Sequence, residues 1–178
     1  AAVLRQGGVV AYPTEAVWGL GCDPFNAKAV QRVLDIKQRS AAKGMIVIAA
    51  SLEQALPHLN WEALPDSRRR AILSSWPGPN TWLIPCQPGV PNWLRGEHDT
   101  LAVRVTAHPV AAALCRAFGG LVVSTSANRA GEAAAQCIGD ISTDLLTQLD
   151  GWVAGDTDGR ARPSTIRDAR SGAVVRAA

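Results

Sequence analysis

Residues 101–128 read LAVRVTAHPVAAALCRAFGGLVVSTSAN, and the fold class follows from them. Leu101–Val105 has strand character, interrupted by one charge at Arg104. His108-Pro109 starts a helix with proline in its first turn, and the helix runs to Phe118. Gly119-Gly120 ends it, and Leu121–Val123 is the next strand. The polar run Ser124–Asn128 then leaves that strand's end. Strand, helix, strand is the α/β pattern, in which strand C-termini line a ligand crevice.

The rest of the chain extends this reading in both directions. Val9–Tyr12 is a strand after Gly7-Gly8, followed by a turn-rich stretch from Pro13 to Pro24. Asn26 caps a helix over 27–37, with Val30, Val33, Leu34 and Lys37 along one side. Met45–Ala50 is a buried strand. Ser51 with Gln54 makes a capping box, and Asp66 caps a helix carrying Arg68, Arg69 and Arg70. Trp76-Pro77-Gly78-Pro79 is a shaped loop. Thr81–Ile84 is a strand, and Ile141, Leu145, Leu146 and Leu149 mark a helix. Trp152–Ala154, Ser164–Arg167 and Ala173–Arg176 are strands, the last two joined at Ser171-Gly172 as a hairpin. A late hairpin favours an α/β fold with a mixed sheet over a purely parallel one.

The 178 residues, 47% hydrophobic and 19% charged, fit one domain over 1–178 and exclude a disordered or collagen-like chain. No purely apolar run, Met45–Ala50 included, approaches the ~20 residues of a membrane helix. Eighteen basic residues against fifteen acidic give +3, a balance compatible with an anionic ligand. Only Lys28, Lys37 and Lys43 are lysines; arginine is otherwise the default base. Cys22, Cys86, Cys115 and Cys137 lack zinc spacing and read as reduced, cytoplasmic thiols. The first eight residues read as a helix tail with a glycine stop, and residues before Ala1 are expected to have been lost.

Three polar clusters stand at element ends. Lys37, Arg39 and Lys43 surround one helix C-terminus, as dipole complements or as an anion site. Ser124–Asn128 is either a polar turn or a cradle for phosphate and ribose. Tyr12-Pro13-Thr14-Glu15 sits at a strand end. Arg104 lies on an exposed face or in a cleft, and Ser164-Thr165 is a hydroxyl pair at a strand start. Gly19-Leu20-Gly21 fails as a dinucleotide fingerprint because Pro24 stands where its third glycine belongs. The three histidines form no metal or triad arrangement.

Tyr12-Pro-Thr-Glu15, Lys37-x-Arg39, Trp76-Pro-Gly-Pro79, Ala102-Val-Arg104-Val, Ser124-Thr-Ser-Ala-Asn128 and Pro163-Ser-Thr165 occur in one order along the chain. Together they resemble the YrdC-like family in its short, single-domain bacterial form. The resemblance implies an open, twisted mixed β-sheet flanked by helices around a concave basic cleft. It implies an enzyme that condenses L-threonine, bicarbonate and ATP, with Mg²⁺, to threonylcarbamoyl-AMP and pyrophosphate. Partner proteins would then pass the threonylcarbamoyl group to adenosine 37 of tRNA. It implies Lys37, Arg39, Ser126 and Asn128 as the catalytic tetrad at the nucleotide. Lys43, Thr100 and Arg176 join these four around ATP, and Thr14, Arg104, Ser124 and Ser164 face threonine. Ser40, Ala16 and Ile48-Ala49 depart from the family pattern. Two other readings share these residues. One is an RNA-binding module built on Arg68-Arg69-Arg70, Arg160, Arg162 and the tryptophans, with weak contact to tRNA. The other is a related carbamoyl-adenylate chemistry.

Overall fold

Among the described residues ten strands pair into two mixed sheets, and at one point a single serine separates a strand of one from a strand of the other. The computed structural model describes residues 1–159 and 163–177. The strands are β1 (Val10–Pro13), β2 (Trp18–Gly21), β3 (Ile46–Ala49), β4 (Asn80–Pro85), β5 (Thr100–Val105), β6 (Val122–Val123), β7 (Thr125–Ser126), β8 (Gly151–Trp152), β9 (Thr165–Asp168) and β10 (Val174–Arg176). The helices are α1 (Ala2–Arg5), α2 (Ala27–Lys37), α3 (Leu52–Ala55), α4 (Asp66–Ser74), α5 (Asn92–Arg95), α6 (Pro109–Phe118) and α7 (Thr143–Leu146).

The smaller sheet has the order β7-β2-β1-β8 and the larger β10-β9-β4-β5-β3-β6. Parallel pairs (β3 with β5, β4 with β9, β1 with β8) stand beside antiparallel ones, so both sheets are mixed. The late hairpin is present as antiparallel β9 and β10. A single sheet is expected from the sequence; among the described residues two form, with no ladder between them, and the chain steps from one to the other between β6, ending at Val123, and β7, beginning at Thr125. Ser124 is the switch residue, its N–H donating to Ile46 O at 2.8 Å. The polar run thus straddles the junction between the sheets.

Local chemistry explains the element ends. Asn26 Oδ1 accepts from Ala29 N at 3.1 Å, which caps α2. His108 caps α6 through Nδ1, and Gly119 at φ 92 closes that helix in the left-handed region. At Ser51 the expected box fails: Gln54 Oε1 accepts from Ala50 N instead, and Ser51 makes no side-chain cap bond. Asp66 is the first helical residue rather than the cap, and its carboxylate pairs with Arg69. The helix expected across 141–149 is one turn, α7, capped by Ser142. The stretch 13–24, expected to be turns, contains β2 with Gly19 and Gly21, residues that weaken any strand signal.

Two apolar clusters hold the layers. The larger packs α2 through Val30, Val33 and Leu34 against Val47 and Val103. The smaller packs α6 through Ala111, Leu114 and Cys115 against Tyr12, Ile48 and Val122. Tyr12, in β1, is fully buried and donates from its hydroxyl to Val123 O at 2.9 Å, which ties the two sheets. Burial raises its phenol far above the ordinary value, so it remains a donor. Gly21 makes this approach possible, because a Cβ there would meet Tyr12 Cε1 at 2.6 Å and Val123 O at 2.7 Å. Among the described residues no helix is long and apolar enough to cross a membrane.

Gly21→Ala is therefore expected to lower stability by about 1–3 kcal/mol through overpacking, read as a lower urea midpoint at unchanged m-value.

Candidate active site

The C-terminus of α2 delivers two cations in different directions. Gln38 adopts φ 52, ψ 48, the left-handed region, and the backbone folds back so that Arg39 N donates to Leu34 O at 3.0 Å. Lys37 keeps its helical direction and reaches across to β7. Its Nζ donates to Ser126 O at 2.5 Å and Asn128 O at 2.7 Å, with Asn128 Oδ1 at 3.3 Å. The sequence-predicted trio Lys37, Ser126 and Asn128 is thus assembled. The solvated helix-end lysine of the plainer reading is absent, since Lys37 is only 4% exposed. Burial, and then repulsion from Arg39, brings its pKa down to about 8, against a smaller opposing effect of Glu132. Arg39 donates from Nη2 to Gly44 O at 3.0 Å, while its Nε is buried without a partner.

Arg104 resolves to the cleft. It is buried in β5, with Nη2 3.6 Å from Glu15 Oε2 and 3.5 Å from Ser124 Oγ. Glu15 sits in the β1–β2 turn, where its Oε1 accepts from Thr106 Oγ1 at 2.8 Å and Ala107 N at 3.1 Å. Burial pushes the Glu15 carboxyl up. Arg104 and these hydrogen bonds pull it further down, so it ends below the usual carboxylate range. Thr14 Oγ1 donates to Val17 O at 2.7 Å and pins the same turn. Ser164 shares a buried hydroxyl contact of 2.8 Å with Thr81, and its carbonyl accepts from Arg176 Nη2 at 3.0 Å. Burial, with the nearby charges of Arg39 and Arg104, lowers the pKa of Arg176.

Several of these side chains converge on a cavity of about 210 Å³ between the two sheets. Its lining includes Thr14, Glu15, Arg39, Arg104, Ser124, Ser126, Ser164 and Arg176. Three guanidiniums therefore face one carboxylate, a charge balance suited to an anionic ligand. Lys37 and Asn128 stand behind Ser126 rather than in the lining. Thr100 is buried on the same face of β5 as Arg104, two residues beyond Ala102. Register places Ala102 between Ile46 and Leu83, so a half-buried apolar row crosses the sheet from cavity-lining Ile46, between the levels of Arg104 and Thr100 on β5. Lys43 is not gathered in: it is exposed, on a short 3-10 turn, Ala41–Lys43.

Glu15 and Tyr12 belong to a polar cluster that the sequence shows at a strand end without giving either a role, and Thr106, which it does not mark, joins them in shaping the site. The signal available was weak: a carboxylate in a turn of otherwise apolar residues, with its arginine 89 positions away. Glu15 is the cavity's carboxylate, and the described residues hold no metal-binding cluster of His, Cys, Asp or Glu. A divalent ion entering here would depend on oxygens of its ligand, as Mg²⁺ does with phosphates. Of the basic run, Arg69 is engaged by Glu62 and Asp66, and Arg160 and Arg162 lie outside the described residues.

A family model described as Sua5_yciO_yrdC, telomere recombination, matches residues 2–178. A threonylcarbamoyl-AMP synthase of Stenotrophomonas maltophilia is 55% identical over 98% of this chain and 94% of its own. Two solved structures of P. abyssi Sua5 share the fold. A double-alanine variant has a TM-score of 0.89 at 29% identity over 96% of this chain and 52% of that one. A complex with L-threonine has a TM-score of 0.86 at 30% identity over 94% and 48%. The chain thus spans about half the length of Sua5.

The lowered Lys37 pKa has a definite sign. Between pH 8 and about 10.4, where an ordinary lysine titrates, the unfolded chain binds more protons than the folded one, so stability rises with pH. Urea unfolding at pH 7.5 and 9.5 is expected to show wild type gaining about 1–2 kcal/mol relative to Lys37→Met.

Proposed function

The chain belongs to the Sua5, YciO and YrdC family, and from that premise we propose that it is a threonylcarbamoyl-AMP synthase. It condenses L-threonine, bicarbonate and ATP to threonylcarbamoyl-AMP and pyrophosphate. The observation that carries this reading is the cavity itself, where three guanidiniums and a set of hydroxyls converge and one paired carboxylate stands against them.

The chemistry divides the cavity into two ends. The amine of threonine and bicarbonate give a carbamate and water. A carbamate oxygen then bonds to the α-phosphorus of ATP, and the bond to pyrophosphate breaks. Carbamates are short-lived, so the protein's task is to hold the reactants in line and exclude water. Arg104, with Thr14, Ser124 and Ser164, takes the threonine end, its guanidinium matching the α-carboxylate. Arg39, Arg176 and Ser126 take the nucleotide end, where negative charge grows on the leaving group. Lys37, through its bonds to Ser126 and Asn128, fixes the segment that carries Ser126. The apolar row from Ile46 to Leu83 gives the flat base of ATP a surface, with Thr100 beside it. Lys43, exposed and outside the lining, would meet only the part of the nucleotide that extends beyond the cavity. Mg²⁺ enters with ATP on the phosphate oxygens. No histidine is required, because charge and position supply the catalysis. The product serves tRNA modification through partner proteins in the cytoplasm, and a cleft with this charge can also touch tRNA weakly.

Pyrophosphate release is expected to require ATP, threonine and bicarbonate together. Release that ignores threonine would overturn this function. Arg39→Ala is expected to lower turnover roughly tenfold or more with an unchanged unfolding midpoint, measured in the same assay.

A further inference from the structure

At the Arg104 end of the cavity, two buried side chains of opposite charge each keep an unused polar atom. Glu15 is 3% exposed; its Oε1 is occupied by Thr106 and Ala107, while Oε2 has no hydrogen-bond donor. Arg104 is 7% exposed, and its Nε has no acceptor. The two groups stand 3.6 Å apart. A carboxylate and a guanidinium joined for structure alone close to about 2.7–2.9 Å, commonly with two parallel bonds. Here the pair stays open, with one acceptor and one donor unmatched beside a cavity that both residues line.

The ligand that satisfies such an opening carries an anion and a cation on neighbouring atoms. An α-amino acid does so. We propose that Glu15 is a substrate-binding residue whose Oε2 receives the α-ammonium of the amino acid while Arg104 receives its α-carboxylate. This inference rests on the threonine-dependent function above and adds a residue to it. The other charged groups of the lining, Arg39 and Arg176, are cations that repel an ammonium. Thr14 Oγ1 is committed as a donor to Val17 O. Glu15 is therefore the anionic partner that the cavity offers to the amine. Its carboxyl lies below the ordinary range, so it is ionised at neutral pH and holds the ammonium as a partner; the ammonium gives its proton to solvent before the free amine reacts with bicarbonate.

The test compares L-threonine with its α-hydroxy analogue, 2,3-dihydroxybutanoate of matching stereochemistry, by calorimetric titration of the full chain. Wild type is expected to prefer threonine. Glu15→Gln is expected to weaken threonine by about tenfold to a hundredfold and to leave the analogue within about threefold, so the preference collapses. Glu15→Asp, which keeps the charge, is expected to retain the preference. Because each preference is a ratio within one preparation, loss of folded protein does not move it. Equal weakening of both ligands in Glu15→Gln overturns the proposal, since Glu15 would then act only by holding Arg104. Unchanged threonine binding overturns it too. A wild type that binds neither ligand removes the threonine function and this inference together.

Discussion

A guanidinium in a protein interior needs counter-charge, and the burial of Arg104 constrains everything around it. Its strand, β5, lies near the middle of the larger sheet, whereas its carboxylate, Glu15, comes from a turn of the smaller one. The ion pair therefore joins the sheets across the cleft, and it does so with help. Thr106 and Ala107, at the end of the same β5, hold the other oxygen of Glu15. Tyr12 adds a second tie, from β1 to the last residue of β6. These polar contacts join the sheets together with the two apolar clusters, each of which draws residues from both, and the cavity is the space they leave.

Charge is handled differently at the two ends of that space. At the Glu15 end, opposite charges are close but not closed. At the other end, Arg39 and Arg176 are like charges brought near each other, and the same burial that lowers the pKa of each raises the energy of the empty site. Lys37 follows a third pattern: its ammonium is surrounded by carbonyl and amide oxygens of one turn. That arrangement turns a mobile side chain into a fixed strut between α2 and β7. The site is thus built from cations with distinct degrees of commitment, from Lys37, fully bonded, to Arg39 and Arg104, each with an unpartnered Nε.

Much of this was legible in the chain because the signals were local. Asn26 and the apolar positions after it define α2, and His108-Pro109 with Gly119 define α6, each through a cap or a stop within the element. The ordering of the Lys-x-Arg and Ser-x-Asn segments carried the candidate site, and the structure brings Lys37, Ser126 and Asn128 into contact. What stayed hidden depends on distant partners. β2 carries two glycines that hide its strand character, and at Gly21 the backbone fits between Tyr12 and Val123, the latter about a hundred residues along the chain. The step from β6 in one sheet to β7 in the other falls at Ser124, which reads as part of a polar run. The burial of Glu15 follows from β5, far along the chain. Lys43 is near Lys37 in sequence and the resemblance sets it beside the nucleotide, yet the turn between them leaves it in solvent.

The left-handed residue at the end of α2 has a consequence for how this segment can vary. Lys37 and Arg39 take their separate directions from the backbone of Gln38, whose own side chain is exposed. Position 38 is therefore screened by handedness: glycine or asparagine fits there readily, and a β-branched residue is strained. Such a change would misdirect both cations without altering either. A three-residue motif whose middle letter carries no chemistry is still constrained at every letter, twice by charge and once by stereochemistry.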